Sequence, residues 1–184
     1  NGFVINGVAV DDGSGNSVSS AGDVNGDGFD DLIIGAEKAD PNGSPSGASY
    51  VVFGAASGFV AALNLSSLNG SNGFRISGVA SNDSSGRSVS SAGDVNGDGF
   101  DDLIIGAYRA DPNGSSSGAS YVVFGAASGF AANLNLSSLN GSNGFRINGV
   151  TAYDYSGISV SSAGDVNGDG FDDLIIGARG ADPN

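Results

Sequence analysis

The chain has 184 residues, a formal net charge of −14, and no Cys, His, Met or Trp. Without Cys and His there is no disulfide framework, thiolate chemistry, imidazole base, Ser-His-Asp triad or usual zinc site. Six Lys and Arg against 20 Asp and Glu exclude nucleic acid as a partner and work against an anionic membrane surface. No apolar run approaches a membrane span or a secretory h-region, so direct membrane insertion is excluded as well.

Gly supplies 33 residues, about 18%, and Ser and Asn supply 30 and 18 more, so turns take up much of the chain. Apolar residues still reach 39% and stand in clusters, which marks a folded chain. The segment SVSSAGDVNGDGFDDLIIGA at Ser17–Ala36 returns at Ser88–Ala107 and Ser159–Ala178, a period of 71 residues (17 to 88 to 159). GASYVVFGAASG at Gly47–Gly58 returns at Gly118–Gly129. The chain is one segment, 1–184, of about 2.6 repeats, approximately 2–72, 73–143 and a partial 144–184. It opens with Asn, stops at Asp182-Pro183-Asn184, and reads as a fragment or processed piece of a longer array.

In chain order, each unit predicts four strands. Ser17–Gly22 alternates small and apolar residues, and Asp31–Ala36 is a continuous apolar run suited to a strand covered on both faces. Ala48–Gly54 is β-branched and aromatic, and Gly73–Val79 alternates. Asn25-Gly26-Asp27-Gly28 and Asp40-Pro41-Asn42-Gly43 are turns. The connection Ala55–Asn72, with Leu63, Leu65 and Leu68, has room for one helical turn. Four strands per unit, repeated, predict an all-β chain of four-stranded antiparallel propeller blades. The partial copies give eleven strands, with Phe29, Phe53 and their counterparts expected to be buried between sheets.

Each copy contains DVNGDGFDD, at Asp23–Asp31, Asp94–Asp102 and Asp165–Asp173. Ca²⁺ takes about six to eight oxygen ligands from a short flexible loop. Positions 1, 3, 5 and 9 supply the side chains of Asp23, Asn25, Asp27 and Asp31, and position 7 the carbonyl of Phe29. The equivalent sets are Asp94, Asn96, Asp98, Phe100 and Asp102, and Asp165, Asn167, Asp169, Phe171 and Asp173. Three Ca²⁺ ions are therefore expected, one per loop. Asp30, at position 8, is expected to point away. An EF-hand would need Glu at position 12, and the dockerin-type variant Asp; both are excluded by Ile34, Ile105 and Ile176. Four Asp per loop make 12 of the 20 acids, leaving −14 + 12 = −2 for the rest. Charge this concentrated repels itself without a cation.

These features resemble the FG-GAP repeats of the integrin α-subunit N-terminal β-propeller and of long bacterial surface or secreted proteins. The residues concerned are Gly73-Phe74, Gly86 before Ser88-Val89, the loop Asp94–Asp102 and Leu103–Ala107, with their counterparts. The resemblance covers essentially the whole chain. It implies a seven-bladed complete propeller, Ca²⁺ in the hairpin between first and second strands, an extracellular or cell-surface setting, and adhesion or recognition rather than catalysis. One departure is that Glu37, Tyr108 or Arg179 follows Gly-Ala where the family has Pro.

An antiparallel blade places the Asp-rich turn and the long connection at one end, and the Asp-Pro-Asn-Gly turn and inter-repeat link at the other. The first end is nearly invariant between copies; the second varies. A protein or glycan partner is expected on the variable face, through Arg87, Tyr108, Arg109, Tyr153 and Tyr155. Further repeats or other copies are expected to complete the propeller. A carbohydrate-binding propeller with Tyr108, Tyr153 and Tyr155 as platforms, or a structural repeat of a surface assembly, is the alternative. An enzyme is not expected.

Overall fold

A computed structural model describes residues 2–182. Pro183 and Asn184 of the third Asp-Pro-Asn segment lie outside the described residues. β1 (Val4–Asn6) is the counterpart of the fourth strands of the later repeats. The first repeat forms β2 (Ser17–Gly22), β3 (Asp31–Ala36), β4 (Ala48–Val52), β5 (Ala62–Asn64) and β6 (Gly73–Ser77). The second forms β7 (Ser88–Gly93), β8 (Asp102–Ala107), β9 (Ala119–Val123), β10 (Asn133–Asn135) and β11 (Gly144–Asn148). The third contributes β12 (Ser156–Gly164) and β13 (Asp173–Ala178).

β2, β3, β4 and β6 pair antiparallel in that order, as do β7, β8, β9 and β11, giving two complete blades of a β-propeller. The apolar run of β3 is covered on both faces. Ile33, Val51 and Phe74 share one face and pack against Leu103, Ile105 and Tyr121 of the next blade. Ile34, Tyr50 and Val52 line the other, with Ile5, Phe59 and Leu63 against them. Ile104 and Val122 repeat the first arrangement toward Val160, Leu174 and Ile176. Cores therefore form between blades, where face-to-face sheets bury both sides of each strand.

The eleven predicted strands are joined by two more, β5 and β10, both in the long connection. β5 pairs parallel with β1, and β10 parallel with β6. Each repeat thus adds an outer strand to the blade before it. An aromatic stack accompanies each addition: Phe59 on Phe3 and Phe130 on Phe74, both with centroids 4.2 Å apart. The expected helical turn is a 3-10 turn, Leu65–Ser67 and again Leu136–Ser138, each burying its Leu.

Phe53 is buried as expected, but Phe29 is 41% exposed and Phe171 45%. The ring at this position packs on the Asp-rich loop of the preceding repeat, not inside its own blade. A Cβ on Gly26 would collide with Phe100, and one on Gly97 with Phe171. Phe29 has no preceding loop among the described residues.

The first strands stand innermost and side by side. Val89 N–H donates to Ser17 Oγ at 3.1 Å, and Val160 N–H to Ser88 Oγ at 3.0 Å. Beside them Gly35 lies against the carbonyl of Gly86, and Gly106 against that of Gly157, where a Cβ would overlap backbone. Gly106→Ala should destabilise the chain by about 1–3 kcal/mol, read as a shift in the urea midpoint at unchanged slope.

Candidate metal centre

The Asp-rich loop joins β2 to β3, and Asp31 is the first residue of β3. Its carboxylate is fully buried, with Oδ2 accepting Val24 N–H at 3.1 Å and Oδ1 accepting Gly54 N–H at 2.8 Å. One side chain thus fastens the loop to the exit of the third strand. Asp102 does the same for Val95 and Gly125. Asp23 gathers the rest of the loop: Oδ1 accepts the N–H groups of Gly26 and Asp27, and Oδ2 that of Gly28, at 2.8–3.0 Å. Gly26 and Gly28 hold φ of 74° and 88°, which lets consecutive N–H groups turn inward. Asn25 Oδ1 accepts Asp27 N–H, and Asp27 Oδ1 accepts Phe29 N–H. The three loops share the bonds within the loop.

The donor set is hard oxygen at alternate positions, the chemistry that a hard divalent cation requires. As they stand, these oxygens face the loop's own N–H groups. Among the described residues no group of three His, Cys, Asp or Glu side chains is arranged to hold a metal ion. The residue types and spacing fit Ca²⁺; the arrangement is that of a loop capped by its own Asx side chains.

Burial pushes the Asp31 carboxyl up to about 6, opposed by the hydrogen bonds from Gly54 and Val24 and reinforced by the charges of Asp27 and Asp23. Asp102 rises to about 7 for the same reasons, with Gly125, Val95, Asp98 and Asp94 as the counterparts. Asp165, on the exposed third loop, is lowered instead, chiefly by the Gly170 N–H. A carboxyl whose folded pKa lies above its unfolded value near 3.8 binds more protons when folded, so it stabilises the fold as pH falls. In chelator, Asp31 and Asp102 should each add stability as pH drops from 8 through their folded values. Asp102→Asn should flatten the upper part of that profile in a melting series against pH.

Asp30 was expected to point away from the loop, and its counterparts reveal a role that spacing alone does not disclose. Asp101 Oδ2 accepts Asp23 N–H of the preceding loop at 2.8 Å, while Asp101 N–H donates to Asp23 O at 3.3 Å. Asp172 repeats this clamp on Asp94 at 2.9 and 3.1 Å. Gly22 and Gly93 leave the space these carboxylates fill. Asp101→Ala should cost about 1–2 kcal/mol. The same change at Asp30, which clamps nothing among the described residues, should be near neutral by chemical denaturation.

The opposite end gathers the inter-repeat link and the Asp-Pro-Asn-Gly turn, joined by Gly78 N–H to Gly47 O and Ser85 N–H to Ser46 O. Arg87 pairs with Glu37 at 3.2 Å. Tyr108 and Tyr155 come together with centroids 6.1 Å apart, and Tyr153 lies 6.5 Å from Tyr155. Arg109 stands over the Tyr108 ring at 5.2 Å, and Arg179, which was not among the expected partner residues, stands over Tyr155 at 5.0 Å. Four of the five expected partner residues therefore form one cluster, and Arg87 stands apart on its ion pair.

The FG-GAP repeat family model matches residues 14–52, 85–123 and 156–184. The first two matches begin in the link before a first strand and the third at the first residue of β12; each takes in the Asp-rich loop and second strand, and the two complete ones run on to the end of the third strand. Together they span more than half of the 184 residues. With its blade topology and three loops of one pattern, the chain belongs to the FG-GAP repeat family.

Proposed function

We propose that this chain is a calcium-binding, extracellular interaction module of the integrin α-like propeller type. FG-GAP propellers are typically non-catalytic interaction modules found in extracellular or surface proteins, and no helix among the described residues is long and apolar enough to cross a membrane. The observation that carries the metal reading is the triplicated nine-residue loop with oxygen donors at positions 1, 3, 5, 7 and 9. Each loop takes one Ca²⁺ through the residues named for it, Asp23, Asn25, Asp27, Phe29 and Asp31 in the first. The ion supplies positive charge where 12 carboxylates crowd three turns, beside Asp31 and Asp102, which are pushed up chiefly by burial. Its role is structural: it fixes loops that grip one another from blade to blade. A partner docks at the other end of the blades, and further repeats or copies of the array complete the propeller.

Calorimetric titration should find three Ca²⁺ per chain with dissociation constants around 10⁻⁴–10⁻³ M or somewhat tighter. At tenfold excess over the dissociation constant each site adds about 1.4 kcal/mol to stability. The melting midpoint should rise with Ca²⁺ and fall with chelator. A midpoint indifferent to both would overturn the metal reading.

A further inference from the structure

We infer that Asp101 and Asp172 couple the three Asp-rich loops, so that the chain takes up Ca²⁺ cooperatively and not at independent sites. The inference rests on the calcium reading above and adds to it a dependence of each site on its neighbour. Both are positioning residues: each stands at position 8 of its loop, outside the donor set, and acts on the loop before.

The first observation is where the clamp lands. Asp101 meets Asp23 at both its N–H and its carbonyl, at 2.8 and 3.3 Å, and Asp172 meets Asp94 likewise, at 2.9 and 3.1 Å. Space is reserved for it, since a Cβ on Gly22 or Gly93 would overlap the incoming carboxylate. Asp23 is the first donor of its loop, and its carboxylate gathers the N–H groups of Gly26, Asp27 and Gly28. The residue that organises one loop is thus tied at its main chain by the next.

The second observation is where the clamp comes from. Asp101 sits between Phe100 and Asp102, the donors at positions 7 and 9 of its own loop. The Phe100 ring lies on Gly26 of the loop before. Asp102 accepts Gly125 N–H at 2.9 Å, and the next residue, Ala126, donates to Val24 O of the first loop at 2.9 Å. Three consecutive residues of the second loop therefore bear on the first, two of them from donor positions. In the third loop Phe171 lies on Gly97 in the same way, beside Asp172. Whatever fixes residues 100–102 or 171–173 also fixes a clamp.

The consequence is energetic. A loop already held in place loses less freedom when it binds an ion, so order supplied at one site lowers the cost at the next. Such coupling acts equally in both directions. Loops joined in a row by nearest-neighbour contacts behave as a one-dimensional array, and Asp101 and Asp172 are its two links.

Calorimetric titration of the full chain with Ca²⁺ should give three ions and a Hill coefficient well above unity. In Asp101→Ala/Asp172→Ala the three ions should remain, the coefficient should fall to unity, and the mean affinity should drop roughly fivefold or more. Asp101→Asn/Asp172→Asn keeps an oxygen to accept each N–H and should keep the cooperativity, which separates the clamp from its charge. Hydrogen exchange reads the coupling at one site. In Asp98→Ala, which disables the middle loop, Ca²⁺ should protect the Gly26, Asp27 and Gly28 amides only at roughly fivefold higher concentration than in the parent. Independent binding of three ions by the parent overturns the inference and leaves the calcium reading in place. Cooperativity that survives the alanine changes, or is lost equally with asparagine, does the same. No Ca²⁺ uptake at all overturns both.

Discussion

The buried carboxylate at the start of each second strand sets the position of everything at that end of the blade. Asp31 accepts from Val24, inside the loop, and from Gly54, at the exit of the third strand. Burying an ionised group is costly, and here two backbone N–H groups offset part of that cost. The return is that a nine-residue turn, otherwise free to splay, is held over the end of its own sheet. Only from that fixed position can Asp23 present its backbone to Asp101 of the next repeat, and Phe100 lie over Gly26. The carboxylate inside one blade thus determines the register between two.

Register between blades is then held at three radii. At the axis, Ser17 and Ser88 accept from the neighbouring first strands and paired glycines admit close backbone approach. In the middle, Ile33 and Val51 pack against Leu103 and Ile105. At the rim, β10 adds to β6 and Phe130 stacks on Phe74. Solenoid-like arrays gain stability mostly from such nearest-neighbour interfaces. Burial follows the same rule: Val24 is fully buried beneath the second repeat, whereas Val166, its counterpart in the third, is 73% exposed.

Much of this was legible in the sequence because the signals were local. Asp31–Ala36 is a strand over the predicted residues because a continuous apolar run has no other way to be covered. The Gly-Asp turns stand where their φ values require glycine. What was not legible depends on partners far along the chain. Ala62–Asn64 and Asn133–Asn135 carry no strand pattern of their own and become strands because an open edge of the previous blade meets them. Asp101 looks like a bystander until its partner, 78 residues away, is in place. Phe100 and Phe171 read as core by composition, but their rings lie on the loop of the preceding repeat. The convergence of Tyr108 with Tyr155 depends on how one repeat's turn meets the next repeat's link, a relation that no spacing within a repeat encodes.

The same geometry explains why one end of the blades is uniform and the other varied. At the Asp-rich end, side chains do the holding: Asp23 and Asp31 organise the loop, Asp101 grips its neighbour and Phe100 covers it. Asp23 and Asp31 serve their own repeat while Asp101 and Phe100 reach the one before, so the loop carries contacts within and between repeats. At the opposite end side chains common to the copies, such as Asn42 on Gly78 O and Asp83 on Ala80 N–H, work beside main-chain bonds. These run from Gly78 to Gly47, Ser85 to Ser46, Lys38 to Asp12 and Gly180 to Asp154, and at the variable positions the main chain does the holding. Backbone bonds are indifferent to the side chains above them. That indifference lets Asp11, Asn82 and Tyr153 occupy one turn with nearly one φ. A scaffold that fixes its repeats with side chains at one end, and its loops with backbone at the other, leaves one surface free to acquire specificity without loosening the array.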